Sequence, residues 1–282
     1  MQTYQKNFNV AIFGLTRGYP NETKKYDDLI KRNNLIYKNI NSKLAKPYKM
    51  IIFHEGNISF SDQNYIQKNS PEKLKFINIF DIFDKYKQFE GYKIMCKFQM
   101  YYVWEYLKEF QYVIRVDEDV FVHDFEVNTI EMMVKKNIYF CYSKLSYESH
   151  VPTNSTLPDY IKNIYNLKNT NFYNHLFPYT NFYVTRTDIW LNAKINSIIK
   201  DIAQSDWQSE YRWGDLPVLG CIINIEKIKS KRLKKLFYLH ESHNSYVRSN
   251  IKSVIFDRLN FKRIKYMYPN FFEKIKLLFL RK

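Results

Sequence analysis

Residues 111–120 read Gln-Tyr-Val-Ile-Arg-Val-Asp-Glu-Asp-Val, a short apolar run that ends in three consecutive acidic residues. The segment Tyr112–Val116 is rich in β-branched residues, which predicts a strand buried on both faces. In open α/β sheets, ligands bind at the carboxyl ends of the strands, where Asp117, Glu118 and Asp119 would lie. Adjacent carboxylates repel one another unless a cation lies among them. The stretch therefore predicts an α/β fold with a ligand site at this strand end, and a solvated acidic turn is the plainer alternative.

Two later parts of the sequence carry groups that could complete such a site. A predicted last strand, residues 236–239, is followed by His240 and His243, and Asp215 lies at a predicted helix start. Oxygen ligands beside a phosphate favour Mg²⁺ or Mn²⁺, and a carboxylate and an imidazole from distant strands can hold one such ion. A metal-bridged diphosphate is a good leaving group, because the ion neutralises the charge that develops on departure. A second carboxylate near the reacting carbon could accept a proton from an incoming hydroxyl.

Length and composition indicate a folded domain rather than a disordered chain. The 282 residues are 45 % hydrophobic and 18 % aromatic, enough for a sizeable core. The formal net charge of +16 would suit a nucleic-acid ligand, but the basic residues are spread out and no zinc-finger, RNP or Gly-rich motif is present. A basic surface also suits a nucleotide diphosphate or an anionic membrane. We expect no nucleic-acid partner, and a non-catalytic basic module that binds nucleic acid or a membrane surface is the alternative.

Cysteine usage and the distribution of apolar residues bear on the cellular compartment. Cys96, Cys141 and Cys221 are isolated in apolar surroundings, which predicts reduced thiols rather than a disulfide framework or a zinc site. The first nine residues are polar, and no apolar run approaches the ~18 residues of a membrane span. These features predict a cytoplasmic protein.

The order of the predicted elements favours a mostly parallel sheet. Strands are predicted over residues 9–15, 50–53 and 74–79, helices over 26–41 and 91–110, and this alternation is typical of βαβ units. Further along, residues 138–142 are another apolar stretch, and residues 147–177 are predicted to be an irregular lid or acceptor-binding segment. A strand is predicted over 181–185 and a helix over 188–202. Asp215 is predicted as the N-cap of a helix with Pro217 in its first turn.

The C-terminal tail has a different pattern from the rest of the chain. From residue 260 onward basic and apolar residues alternate, which predicts a cationic amphipathic helix that packs on the domain or lies on an anionic membrane surface. We expect one domain over residues 1–282, with a donor-binding half over about 1–125 and an acceptor-binding and catalytic half over about 126–250. The helical extension would cover about 251–282.

These motifs together resemble those of the GT-A glycosyltransferases. Val-Asp-Glu-Asp at 116–119 looks like their D-x-D motif, Trp-Gly-Asp at 213–215 lies where the family has a second acidic motif, and His240 or His243 matches its late metal-binding histidine. Arg-Val-x-x-Asp at 115–119, Asn-Phe at 181–182 and Arg-Trp-Gly-Asp-x-Pro-Val at 212–218 are similar to the fungal α-1,2-mannosyltransferase family. The detailed match covers residues 92–220, and the first ninety residues fit only the general fold.

Two positions depart from the fungal pattern. Tyr211 stands where that family has a Glu before its Arg-Trp-Gly-Asp, and Tyr183 stands where it has the Glu proposed as nucleophile of a retaining mechanism. The fungal enzymes are also membrane-anchored. The resemblance therefore implies the fold and metal-dependent sugar transfer, but neither mannose nor retention. An inverting displacement with Asp215 as base stays open beside a retaining, mannosyltransferase-like reaction.

The resemblance implies a Rossmann-like GT-A domain, with a mixed, mostly parallel sheet flanked by helices, that moves a hexose or pentose from a nucleotide-diphosphate sugar to a glycan hydroxyl. Mn²⁺ or Mg²⁺ is the expected cofactor. A metal-dependent nucleotidyltransferase or phosphohydrolase is the rival enzyme class. The implied site residues are Asp119 with His240 or His243 for the metal, Arg17, Arg115, Asp117 and Glu118 for the donor, Asp215 for catalysis, and Trp213 and Asn181 for the acceptor.

Overall fold

A seven-stranded sheet organises residues 8–248, the part of the chain that the computed structural model describes. Two smaller sheets, of three and two strands, accompany it. In chain order the strands are β1 Val10–Thr16, β2 Lys49–His54, β3 Leu74–Asn78, β4 Tyr112–Val116, β5 Val120–Phe125, β6 Phe140–Tyr142, β7 Leu145–Tyr147, β8 Leu176–Pro178, β9 Phe182–Arg186, β10 Ser230–Arg232, β11 Leu236–His240 and β12 Ser245–Arg248.

Helices connect most of these strands. A π-helical turn, Phe98–Tyr102, joins α4 to α5, so that one continuous helix runs from Gly91 to Leu107. The helices are α1 Asp27–Asn39, α2 Phe60–Asn69, α3 Phe80–Lys85, α4 Gly91–Lys97, α5 Val103–Leu107, α6 Thr129–Lys136, α7 Val151–Ile164, α8 Ala193–Gln204, α9 Asp206–Glu210 and α10 Asp215–Ile225.

The large sheet has the order β10-β6-β9-β4-β1-β2-β3. Six of its strands run parallel, and β9 runs opposite to both of its neighbours, β4 and β6. The carboxyl ends of the parallel strands therefore meet at one edge, and β9 begins at that same edge. The expected mixed, mostly parallel sheet flanked by helices is confirmed.

Strand β4 is buried along its whole length. Its alternate residues pack into two apolar cores: Val113 contacts the core that holds α4, α5 and α10, whereas Ile114 and Val116 contact the core on the side of α1. Because side chains alternate across a strand, a strand covered on both faces needs an almost unbroken apolar run. This arrangement explains the composition of Tyr112–Val116 and fixes the position where the acidic residues emerge.

The segment predicted as irregular, residues 147–177, instead contains a helix, α7, which spans 14 residues. Its helix α7 begins after His150, whose ring nitrogen accepts a hydrogen bond from the backbone N–H of Thr153. Thr153, Leu157 and Ile161 recur every four residues and are buried, so they form the apolar stripe of the helix. The abundance of Ser, Thr, Asn and Pro in the sequence hides this short stripe.

Some other predictions differ in extent or fall outside the described residues. Helix α8 begins at Ala193, later than predicted, because the Asn192 side chain caps it by accepting hydrogen bonds from two backbone N–H groups. The predicted C-terminal basic helix and its membrane contact lie outside residues 8–248. Among the helices of residues 8–248, none combines the length and the apolar character that a membrane crossing requires.

Candidate active site

A cavity of about 480 Å³ opens where β1, β4 and β11 end and where β9 and α10 begin. The sequence predicted ten side chains as site residues. Nine of them line this cavity, and Trp213 is the exception. The nine are Arg17, Arg115, Asp117, Glu118, Asp119, Asn181, Asp215, His240 and His243.

Asp119 and His240 meet at this cavity because β11 pairs antiparallel with β5, which places His240 opposite Val120. The Oδ2 of Asp119 lies 3.1 Å from Nε2 of His240. The other ring nitrogen, Nδ1, lies 3.2 Å from the hydroxyl of Tyr179. Burial disfavours the ionised Asp119, but hydrogen bonds from His240 and Ser242 outweigh it and lower the pKa of Asp119 to about 2.

This pair fits a divalent ion. At metal–ligand distances near 2.1 Å, neighbouring ligands of an octahedron lie about 3 Å apart, close to the observed separation. The carboxylate oxygen suits Mg²⁺ or Mn²⁺, and the imidazole nitrogen suits a transition-metal ion. His243 is exposed, with its ring centroid 4.4 Å from that of His240. Within residues 8–248 no three His, Cys, Asp or Glu side chains converge as a metal cluster, so an ion held here would need further ligands from the substrate.

Arg115 ties two of the cavity's carboxylates together. Its Nε and Nη2 donate to the two oxygens of Asp117, at 2.8 and 3.3 Å, and its Nη1 donates to Oδ2 of Asp215. The Arg115 side chain is 3 % exposed. The sequence predicted this arginine at the donor diphosphate, whereas in the fold it anchors Asp117 and Asp215. Burial raises the pKa of Asp117 to about 6, against the opposing effect of the Arg115 guanidinium.

Asp215 is the first residue of α10, and Gly214 is the N-cap. The sequence prediction that Asp215 caps the helix is therefore wrong: its side chain makes no capping hydrogen bond and instead pairs with Arg115. The buried ion pair is the stronger interaction, since it supplies a counter-charge that backbone N–H groups do not. The other oxygen, Oδ1, accepts a hydrogen bond from Sγ of Cys96 at 3.9 Å, and the Asp215 side chain lines the cavity.

Glu118 and Arg17 lie beside one another at the end of β1. The hydroxyl of Thr16 donates to Oε2 of Glu118, and Nε of Arg17 lies 3.8 Å from Oε1. Burial raises the pKa of Glu118, and the contacts with Thr16 and Arg17 oppose that shift. The Arg17 side chain is 67 % exposed, so its guanidinium is accessible to an anionic ligand.

Asn181 immediately precedes β9, and its backbone carbonyl accepts a hydrogen bond from the N–H of Asp117 at 3.1 Å. Its Oδ1 accepts a hydrogen bond from the hydroxyl of Tyr238 at 2.9 Å. The Asn181 Nδ2 is buried and has no hydrogen-bond partner among residues 8–248. A buried amide N–H without a partner is costly, so this atom is available to a ligand in the cavity.

Trp213 was predicted to contact an acceptor, but the structure buries it completely. Its indole N–H donates to the hydroxyl of Thr156 at 2.9 Å, and its ring packs 4.7 Å from that of Tyr160. Both partners belong to α7, the helix that the sequence analysis did not predict. Because the indole N–H has a hydrogen-bond partner inside the core, Trp213 can be buried without facing the cavity.

Arg32 is a site residue that the sequence analysis missed. It is 1 % exposed on α1, and its Nε and Nη2 donate to the carbonyls of Asp117 and Val116 at 3.0 and 2.5 Å. These bonds hold the backbone of the acidic turn, while burial lowers the pKa of Arg32 to about 10. The available signal was an arginine at helical spacing between Leu29 and Ile36, in the middle of an apolar face.

The fold is that of the GT-A glycosyltransferases. Core-mannan synthase A (CmsA/Ktr4) from Aspergillus fumigatus, solved in a Mn/GDP form, has 16 % identity and a TM-score of 0.66, over 85 % of this chain and 76 % of that one. The mannosyltransferase Ktr4p from S. cerevisiae has 16 % identity and a TM-score of 0.67, over 83 % and 70 %. Its GDP complex has 15 % identity and a TM-score of 0.65, over 83 % and 71 %.

The resemblance noted in the sequence is thus confirmed at the level of the fold. No protein-family model matches the chain, and no curated protein matches it by sequence.

Proposed function

We propose that this chain is a glycosyltransferase that uses a nucleotide-diphosphate sugar together with Mn²⁺ or Mg²⁺. The observation that carries the proposal is the 3.1 Å approach of Asp119 and His240 in a cavity that Asp117 and Asp215 also line. Asp119 and His240 would supply two ligands to the ion, and phosphate oxygens of a donor would supply others. The fold is shared with a core-mannan synthase solved in a Mn/GDP form and with a mannosyltransferase solved with GDP, which supports the same assignment.

Six of the cavity residues have roles consistent with this reaction. Asp119 and His240 would hold the ion, which when bound would neutralise charge on the departing diphosphate. Arg17, which is exposed at the end of β1, would contact that diphosphate. Arg115 orients Asp117 and Asp215 toward the substrate rather than binding it.

The neighbours' ligands suggest which donor to test first. One neighbour is described with Mn and GDP, and another is a mannosyltransferase in complex with GDP. A GDP-linked sugar is therefore the first candidate donor for this chain. A glycan hydroxyl is the proposed acceptor.

The stereochemical course depends on Tyr183, which is fully buried with its ring 5.9 Å from the Arg115 guanidinium carbon. Burial raises the pKa of the Tyr183 phenol, which makes it a poor nucleophile. We therefore favour an inverting displacement in which Oδ1 of Asp215 takes the proton of the acceptor hydroxyl. In the retaining alternative, Asp215 would bind acceptor hydroxyls instead.

The test is release of nucleoside diphosphate from GDP-mannose, UDP-glucose, UDP-galactose and UDP-xylose, with Mn²⁺, with Mg²⁺ and with chelator. We expect one donor to be hydrolysed slowly, with loss of activity on chelation. Asp119→Ala should lower the rate at least about 100-fold, as for loss of a metal ligand. Asp124→Ala is the matched control, because Asp124 is exposed on β5.

Other outcomes would contradict the proposal. A sugar phosphate among the products would indicate a nucleotidyltransferase or a phosphohydrolase. No turnover of any donor, together with salt-sensitive and metal-independent binding of nucleic acid or anionic vesicles, would indicate the basic binding module.

A further inference from the structure

Gln99 lies in the apolar core, yet its side-chain oxygen has no hydrogen-bond partner in the described part of the chain. The residue is 1 % exposed, and its neighbours Phe98 and Met100 are fully buried. An unpaired buried amide oxygen costs about 1–3 kcal/mol, and such atoms are rare in folded proteins. Its presence indicates a partner that residues 8–248 do not themselves supply.

The position of Gln99 shows where that partner would lie. Tyr92, Met95 and Gln99 are three and four residues apart, which places them on one helical face, and all three line the cavity. The segment Phe98–Tyr102 is π-helical, a conformation found frequently at functional sites. The face of the helix that carries Gln99 is therefore a wall of the candidate active site.

Gln99 belongs to the part of the cavity near Asp215. Helix α10, which begins at Asp215, packs against the π-helical turn. Cys96, one helical turn before Gln99, has its Sγ 3.9 Å from Oδ1 of Asp215. Asp119 and His240 mark the metal and diphosphate part, and the sugar of a donor is attached directly to that diphosphate.

The cavity thus holds an unpaired acceptor, Oε1 of Gln99, and an unpaired donor, Nδ2 of Asn181. A hydroxyl can both donate and accept, so a neutral polyhydroxylated ring could satisfy both amides. We propose that Gln99 binds a hydroxyl of the sugar on the donor and so helps to select that sugar. This inference rests on the proposed function and assigns one determinant of its donor specificity.

A ligand-binding role and a structural role predict opposite effects on stability. Gln99→Leu removes an unpaired polar atom from the core, so the Tm of the free protein should stay the same or rise. Gln208 is the matched control, because it is fully buried but its Nε2 donates to the carbonyl of Trp213 at 2.8 Å. Gln208→Leu should lower the Tm.

The binding experiment uses calorimetric titration with Mn²⁺ and four probes: GDP, GDP-mannose, UDP and UDP-galactose. For the nucleotide that binds, Gln99→Leu should leave the Kd of the nucleoside diphosphate within twofold and raise the Kd of the nucleotide sugar about tenfold. The nucleotide sugar that lacks the hydroxyl bound by Gln99 should have a Kd for the wild type about tenfold above that of the complete nucleotide sugar. Its Kd for the Gln99→Leu variant should be the same as its Kd for the wild type.

The outcomes separate this inference from the proposed function. If Gln99→Leu weakens nucleoside diphosphate and nucleotide sugar equally, or lowers the Tm as Gln208→Leu does, the role of Gln99 is structural and the inference is wrong. An unchanged Kd for the nucleotide sugar also overturns it while leaving the proposed function intact. If the wild type binds none of the four probes, the proposed function and this assignment are both wrong.

Discussion

Arg115 donates a hydrogen bond to Asp215, and this buried ion pair joins the end of β4 to the first residue of α10 across 100 residues of sequence. The side chains of Arg115 and Asp215 are 3 % and 7 % exposed. A guanidinium in this position is stable only while carboxylates compensate its charge, and Asp117 is the second of them. The orientation of two candidate functional carboxylates therefore depends on one cation.

Replacement of either member of this pair should destabilise the fold. We expect Asp215→Asn and Arg115→Met each to lower the free energy of unfolding by about 3 kcal/mol. The first leaves the buried Arg115 with one of its two carboxylates, and the second leaves Asp117 and Asp215 without their cation. The double variant should lose less than the sum, by about 1–3 kcal/mol. Urea denaturation of the four proteins gives this coupling energy.

The pair Arg186 and Asp188 is the control for that cycle, since its side chains are 33 % and 61 % exposed. Its coupling energy should be below about 1 kcal/mol, as for other surface ion pairs. Strict additivity at Arg115 and Asp215 would show that the observed pairing contributes no coupling.

The two histidines after β11 should differ in their effect on metal binding. His240 is 6 % exposed and 3.1 Å from Asp119, whereas His243 is exposed. We expect His240→Ala to weaken Mn²⁺-dependent donor hydrolysis about 100-fold and His243→Ala to change it less than about threefold. Titration of the rate with Mn²⁺ measures both, and the reverse ranking would assign the metal to His243.

A methyl group on Gly14 should disturb the contacts between Arg32 and the backbone of the acidic turn. A Cβ there would lie 2.5 Å from both Nη2 of Arg32 and the carbonyl oxygen of Val116. We expect Gly14→Ala to cost about 1–3 kcal/mol of unfolding free energy by overpacking, and to weaken Mn²⁺ binding because Arg32 supports the turn. Chemical denaturation and Mn²⁺ titration test the two effects.

Gly91 provides the matched control for this substitution. A Cβ at Gly91 meets no atom within 4 Å, and the residue opens α4. Gly91→Ala should leave stability unchanged or raise it by up to about 1 kcal/mol through helix propensity. An equal loss in both variants would contradict the proposed packing around Arg32.

The lowered pKa of Asp119 predicts a pH-dependent contribution to stability. Since its pKa falls from an ordinary 3.8 to about 2 in the folded state, ionised Asp119 should contribute about 2 kcal/mol above pH 5. That contribution shrinks as the pH falls from 4 through 2, and it vanishes below pH 2, where the carboxylate is protonated in both states. The stability difference between wild type and Asp119→Asn, measured by urea denaturation without metal, should follow this curve. A difference independent of pH between 7 and 3 would contradict it.

Local patterns were sufficient to predict the central strand and the acidic turn. Burial on both faces of β4 requires a β-branched run, and that run is visible in the sequence. The choice between His240 and His243 depends on the register of β11 against β5, which joins residues more than a hundred positions apart. That register cannot be predicted from local sequence patterns.

Trp213 and Arg32 show the same limit of local patterns: Trp213 was wrongly predicted to contact a substrate, and Arg32 was not predicted to have a role. Motif similarity placed Trp213 at the site, but its indole finds a partner in α7, whose apolar stripe is too short to recognise among polar residues. Arg32 looked like an ordinary helix residue, and only the packing of α1 against the acidic turn gives it two carbonyl partners. Both roles are decided by tertiary contacts.

The reversal of β9 has a consequence for how this protein could diversify. Because β9 enters the sheet at the edge where β4 leaves it, Asn181 meets Asp117 through a backbone bond that does not depend on the length of the preceding chain. The preceding segment, from β7 through α7 to β8, forms its own small sheet and is not a strand of the large one. Insertions in the loops of this segment, where Glu148 lines the cavity, can remodel the cavity mouth while the chemistry at the strand ends stays in place. Evolution could therefore change what this fold modifies without changing how it does so.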